Sequence, residues 1–172
     1  MKAISFKGDV LPLKNELYRL ALRITLNHAE AEDVVQETLI KVWNRREQWQ
    51  QIESMEAFCL TICRNLALDK NKKMANQAES LEDSHYQAPD NSHSANPEEQ
   101  AMQQDRIELI RRLIDSLPEK QRTIMLLRDK EGKTYKEIAK ILDISEEQVK
   151  INIFRARQTI KQKYIETENY GL

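Results

Sequence analysis

Glycine and proline are scarce in this chain, at three and four residues of 172, so the backbone has few places for tight turns or broken elements. Aromatic residues make up only 6%, and Leu, Ile, Ala, Glu, Lys, Arg and Gln dominate. That balance favours helix nearly throughout. No window approaches eighteen uninterrupted apolar residues, and the N-terminus lacks a basic start followed by an apolar run. Neither a membrane span nor a signal peptide is expected, which points to a cytoplasmic protein without membrane insertion. Catalytic signatures are missing too: there is no Gly-rich phosphate loop, HExxH or GxSxG, and each histidine stands alone. No enzyme activity and no cofactor are expected. Only two cysteines occur, Cys59 and Cys63, four apart in an apolar run, with no neighbouring histidine to complete a metal site. They read as small core residues, with no metal.

The formal net charge of −1 conceals a division of sign along the chain. Between Met74 and Pro97 there are acids (Glu79, Glu82, Asp83, Asp90) and no Lys or Arg, while the part from Ala101 onward is modestly basic. Periodicity collapses over the same stretch into Asn, Gln, Ser, Asp and Pro, too polar to offset chain entropy. Residues 74–96 therefore read as a flexible acidic linker. The fold class follows as all-α: two small helical domains, 1–73 and 97–172, on that tether. A near-neutral chain should bind free DNA weakly, because non-specific affinity comes mainly from phosphate neutralisation.

Helical stripes mark both halves. Leu13, Leu17, Leu20, Ala21 and Ile24 share one face of a helix from Val10 to Leu26, and Asn27 is a plausible cap for the next, Ala29 to about Trp43. That second helix has an acidic first turn (Glu30, Glu32, Asp33), suited to the positive end of its dipole. Val35, Leu39 and Val42 mark its inner side, and Asp33, Gln36 and Glu37 share an outer patch. Composition alone makes this a surface helix with a solvated acidic face. Asn44 to Glu53 is polar with an isolated Trp49 and reads as a loop; Ser54 then starts a helix ending in RNLALDKNKK. After the linker, Ile107, Ile110, Leu113 and Ile114 form a stripe that stops at Leu117-Pro118. A further helix runs from Glu119 to about Lys130, closed by Gly132. Residues 166–172 show no pattern and should fray.

The most informative stretch is Thr134 to Tyr164, TYKEIAKILDISEEQVKINIFRARQTIKQKY. Ile138, Ala139 and Leu142 lie on one helical face; Leu142 to Ser145 supply a tight turn; Ser145 and Gln148 form a capping box for a second helix. Val149, Ile153, Ala156 and Ile160 make its stripe, with Lys150, Asn152, Arg155, Arg157, Lys161 and Lys163 off it or at its margins. Such a pair suits the major groove as a helix-turn-helix, and spacing alone also allows an ordinary helical hairpin with a solvated basic face.

The KTYKEIAKILDIS…VK…RAR arrangement resembles region four of bacterial sigma factors of the extracytoplasmic-function (ECF) type, within the sigma-70 family. AEDVVQETLIKVW resembles the same family's region two, and RNLALDKNKK its R-N-x-A-x-D segment. Asp143, where the family often has Gly, and Ile151-Asn152, where small polar and basic residues are frequent, depart from the pattern. The resemblance implies a factor that directs core RNA polymerase to promoters. Asp33, Gln36 and Glu37 would then dock on the clamp helices of the polymerase largest subunit. Gln48, Trp49, Arg64 and Asn65 would meet the minus-ten strand, with Lys70, Lys72 and Lys73 on phosphates. Thr134, Gln148, Lys150, Asn152, Arg155 and Arg157 would meet the minus-thirty-five element. Partners implied are core polymerase, promoter DNA and an anti-sigma factor, since family members are commonly held by one. Position alone equally lets Trp49 cap the core, and lysines at a helix end are often only dipole partners. The alternatives are a stand-alone helix-turn-helix regulator and a helical adaptor that never touches DNA.

Overall fold

Ser5 opens the first helical turn with a reciprocal cap: its hydroxyl accepts from Gly8 N at 3.0 Å while its own N–H donates to Asp9 Oδ2 at 2.7 Å. The computed structural model describes residues 3–77 and 97–169. All regular structure among the described residues is helical. A wide helical turn (Phe6–Val10) and a short 3-10 turn (Leu11–Leu13) lead into α1 (Lys14–Thr25), α2 (His28–Asn44) and α3 (Met55–Gln77), which pack on one another as a three-helix domain. The second domain holds α4 (Pro97–Asp115), α5 (Glu119–Met125) continued by a wide turn (Leu126–Lys130), α6 (Tyr135–Leu142) and α7 (Glu146–Asn169). The two-domain all-helical reading is the fold observed.

Local signals in the sequence locate most boundaries. Leu26 adopts φ 55° after α1, and Asn27 Oδ1 accepts from Glu30 N at 3.0 Å to start α2. Leu17, Leu20, Ala21 and Ile24 are buried as the stripe requires, against Ala31, Val34, Val35 and Val42 of α2 and Cys59, Leu60, Cys63 and Ala67 of α3. Both cysteines are fully buried, and Cys63 Sγ donates to Leu17 O at 3.3 Å. Burial pushes both thiols up to about 12, so they stay neutral and inert.

Four expectations need correction. The Asn44–Glu53 segment is not a loop: Arg46–Gln51 forms a 3-10 helix that turns Trp49 inward, 6% exposed, with its Nε1 donating to Val42 O at 2.9 Å. Met74 to Gln77 belong to α3, because Met, Ala and Gln propagate a helix readily once it is nucleated; the rest of the expected linker, 78–96, lies outside the described residues. Of the stripe expected on α4, Ile107 and Ile110 are exposed and Leu113 and Ile114 half-buried, since the apolar side of α4 extends beyond the surface that covers it. At the other end, α7 continues to Asn169, with Thr167 Oγ1 bonded back to Lys163 O at 2.8 Å, where fraying was expected from Glu166.

The two domains pack against each other, α1 on α5 and α3 on α6, so that their buried apolar residues form one contiguous cluster. Arg122 fastens this seam. Its guanidinium donates to Leu117 O (2.7 Å) in its own domain and to Arg23 O (3.1 Å) and Ile24 O (3.3 Å) at the end of α1. Those carbonyls are among the last of α1, which its own helix cannot satisfy. Burial lowers the Arg122 pKa, opposed by Glu119 and Asp115 nearby, and arginine remains charged throughout.

Candidate nucleic-acid and polymerase interface

The helix-turn-helix is built from local chemistry. Thr134 caps α6, its hydroxyl accepting from Glu137 N at 3.1 Å, and Asp143 closes it in the left-handed region at φ 55°. Ser145 and Gln148 form the expected capping box, both bonds at 3.1 Å. Ile138, Ala139, Ile141 and Leu142 of α6 pack on Val149, Ile153 and Ala156 of α7, and Ile144 in the turn is packed against this core. The stripe of α7 is thereby fixed inward, which fixes what its other side presents.

Not every expected contact residue is equally available there. Thr134 and Gln148 are committed to caps, and Asn152 Nδ2 donates to Gln148 O at 2.7 Å. Lys150 Nζ lies 5.7 Å above the Tyr135 ring, whose face Arg128 also covers at 4.6 Å. Arg157 is paired with Asp129 at 2.7 Å, and Arg155 is exposed. Two large apolar side chains also share this surface, and the sequence reading singled out only Ile151. Phe154 is 65% exposed and Ile151 43% exposed on the outer side of α7, between Lys150 and Arg155. Their distance from the inward stripe in the helical period was the signal that could have found them.

In the first domain Asp33, Gln36 and Glu37 are exposed together on α2. Lys70, grouped by the sequence with Lys72 and Lys73, instead faces this patch, 3.5 Å from Glu37 and 3.8 Å from Glu30. Lys72, Lys73, Asn65 and Gln48 are exposed. Trp49, being buried with its indole N–H already bonded, offers no face to a base. Arg64 is only 12% exposed in its side chain and points across the seam to Glu119 Oε2 at 3.5 Å.

That pair is one of a set spanning the domains. Arg19 Nε and Nη2 grip Glu131 at 2.5 and 3.0 Å, a bond that raises the arginine pKa further. Arg23 meets Asp115 at 2.9 Å, and Lys140 meets Glu53 at 3.2 Å. Lys133 reaches both Glu16, at 3.3 Å, and Glu56. The seam is therefore electrostatic at its edges as well as apolar inside. Among the described residues no cluster of His, Cys, Asp and Glu is arranged to hold a metal, and no helix is long and apolar enough to cross a membrane.

Two helical domains, the second carrying a capped helix-turn-helix with a basic outer face, define an all-helical two-domain class. Residues 10–76 match the family model for Sigma-70 region 2, and residues 107–160 match that for Sigma-70, region 4. The chain belongs to the sigma-70 family and is of the ECF type. Among curated relatives, the ECF RNA polymerase sigma factor SigE of Mycolicibacterium smegmatis is 32% identical over 86% of this chain. A probable RNA polymerase sigma factor RfaY of Xanthomonas campestris is 29% identical over 91% of it. The chain spans 56% and 40% of the length of these two relatives. It covers 81% of the RNA polymerase sigma-H factor of Pseudomonas aeruginosa, at 28% identity over 88% of this chain. Among solved structures, the sigma factor RpoE bound to the anti-sigma factor NepR from Bartonella quintana superposes with a TM-score of 0.72. The match covers 91% of this chain and 94% of that one at 23% identity. CnrH in complex with the cytosolic domain of CnrY gives a TM-score of 0.65 at 20% identity, covering 94% of this chain and 88% of the other. At these identities the likeness is one of fold.

Proposed function

We propose that this chain is a transcription initiation factor that binds core RNA polymerase in the cytoplasm and directs it to a set of promoters, performing no catalysis itself. The observation that carries this reading is the division of surfaces. One domain presents the acidic patch Asp33, Gln36 and Glu37, suited to the polymerase clamp, while the other presents the basic outer side of α7, suited to duplex DNA. The domain to about Lys73 would hold the minus-ten strand through Asn65, Arg64, Gln48, Lys72 and Lys73. The domain from about Pro97 would read the minus-thirty-five element through Lys150, Arg155 and Arg157, with Thr134, Gln148 and Asn152 shaping that surface. Arg64 lies in the seam, so strand binding requires the domains to part.

Both solved neighbours were captured with a partner, an anti-sigma factor in one case, and this supports an anti-sigma partner for the present chain. A gel shift on promoter fragments separates the readings. Specific retention that requires core polymerase is the expected result. Retention of duplex by the chain alone would make it a stand-alone helix-turn-helix regulator, and no retention in either condition would make it a protein adaptor.

A further inference from the structure

Lys70 stands apart from the other lysines at the end of α3. Lys72 and Lys73 are exposed, whereas the Lys70 side chain is 23% exposed and its Nζ lies 3.5 Å from Glu37 Oε1 and 3.8 Å from Glu30 Oε2. Those two glutamates are seven residues apart on α2, about 10 Å along its axis. For one ammonium to reach both, their side chains must lean toward each other, and two carboxylates drawn together repel unless a cation sits between them. Asp33 falls three after Glu30 and four before Glu37, and so shares their face of α2. The backbone that carries Lys70 is itself anchored: the neighbouring Asn71 Nδ2 donates to Ile24 O, near the end of α1, at 2.8 Å. Lys70 meets Glu37 through Oε1, and that glutamate side chain is 47% exposed. A carboxylate accepts at both oxygens, so Oε2 is left for a partner.

We propose that Lys70 is a positioning residue for polymerase docking: it holds Glu37, together with Glu30, in the arrangement that presents Asp33, Gln36 and Glu37 to the clamp. The inference rests on the docking role proposed for that patch, and it takes Lys70 away from the promoter phosphates that the lysine run as a whole suggests. Docking has to immobilise Glu37, and a side chain that is already held loses less freedom on binding. Lys70 also offsets one charge of the patch, which opposes attraction to a basic partner. Ordering outweighs that loss, because the field of an exposed charge is screened over about 8 Å at physiological salt and Glu37 keeps a second oxygen for the partner.

Affinity for core polymerase and affinity for promoter DNA separate the two roles. Association of the full chain with core polymerase would be measured for wild type, Lys70→Met, Lys70→Arg, Glu37→Gln and the double variant Lys70→Met with Glu37→Gln. Holoenzyme formed at saturating core would then be titrated with promoter DNA at several salt concentrations. Lys70→Met should weaken core association about threefold, within the range set by freezing one long side chain, while Lys70→Arg keeps most of the wild-type affinity. In the Glu37→Gln background Lys70→Met should cost nothing further, a pattern that a general loss of helix packing would not give. The promoter salt slope should be unchanged by Lys70→Met, whereas Lys72→Met lowers it by about one. Unchanged core association for Lys70→Met overturns the proposal. Tighter association would make the lysine a brake on the charge of the patch, an equal loss in both backgrounds would make it a packing residue, and a lowered promoter slope would return it to the phosphates. Each of these also overturns the proposal while leaving the docking role of the patch intact. If Asp33→Ala with Gln36→Ala leaves core association unchanged, the patch is not the docking site and this inference falls with that reading.

Discussion

Arg64 on α3 and Glu119 in the first turn of α5 meet across the domain seam at 3.5 Å, although 55 residues separate them. The contact is incomplete on one side, because the buried Nε of Arg64 has no hydrogen-bond partner among the described residues. Leaving such a donor unmade costs free energy, so this pair closes the seam without locking it. In the proposed role, the arginine that would meet the strand is held by a carboxylate that would first have to release it.

The seam should therefore respond to salt. Ion pairs at partly exposed positions contribute about 0.2 to 1 kcal/mol each, and raising salt from about 0.1 to 1 M shortens the screening length from about 10 to 3 Å. We expect the radius of gyration from small-angle scattering to rise with salt, and Glu119→Gln with Glu131→Gln to move that rise to lower salt. A chain cut within 78–96 should keep both fragments helical by circular dichroism and release them from each other at high salt. A radius that ignores both salt and the substitutions would assign the closure to the apolar contacts and Arg122 alone.

Trp49 offers a cleaner separation of structure from function. Its indole N–H bonds to Val42 O inside the core, so Trp49→Phe should lower unfolding free energy by about 1 to 2 kcal/mol while promoter opening by the holoenzyme is unchanged. A selective loss of open complex in a variant of normal stability would show that Trp49 turns outward to meet the strand.

The two thiols give a test by pH. Burial raises Cys59 and Cys63 to about 12 from an ordinary 9.0, which favours the neutral thiol in the folded chain. Below pH 9 both states are protonated and the thiols do not make stability depend on pH. Above it the unfolded chain ionises first, so their contribution to stability is lost progressively as pH rises from about 9 toward 12. At pH 8 a thiol reagent should label neither cysteine until denaturant unfolds the first domain. Rapid labelling of the native protein would mean that α3 opens locally.

What the sequence made legible follows the range of the interactions involved. The Ser145 and Gln148 box, the Asn27 cap, Gly132 with its φ of 68° and the left-handed Asp143 depend on neighbours within a few positions, and each stands where spacing put it. The inward stripes of α1, α6 and α7 were legible for the same reason. Arg64 and Lys70 were read less well because their partners lie far off in the sequence, and Trp49 because its partner sits on the preceding helix, beyond the reach of a local spacing rule. Trp49 is drawn inward onto α2, Arg64 across to Glu119, and Lys70 onto Glu30 and Glu37. Phe154 was passed over because an apolar residue in a helix is ordinarily counted with the core, although its place one residue beyond Ile153 of the inward stripe already turns it outward.

The polar patch on α2 connects that reading to function. Asp33 and Gln36 are exposed, so Asp33→Ala with Gln36→Ala should change stability by no more than a few tenths of a kcal/mol. Weaker association with core polymerase, measured by co-sedimentation, is expected from the same variant. Loss of folding would show instead that the patch holds the domain together.

Run-off transcription by purified core polymerase, with and without this chain, addresses the proposed role most directly. On a template bearing a promoter that the holoenzyme retains, the account expects a transcript of defined start only when the chain is added. The Asp33→Ala and Gln36→Ala variant should yield much less of it. Defined transcripts from core polymerase alone, or none with a correctly folded chain bound to polymerase, would contradict it.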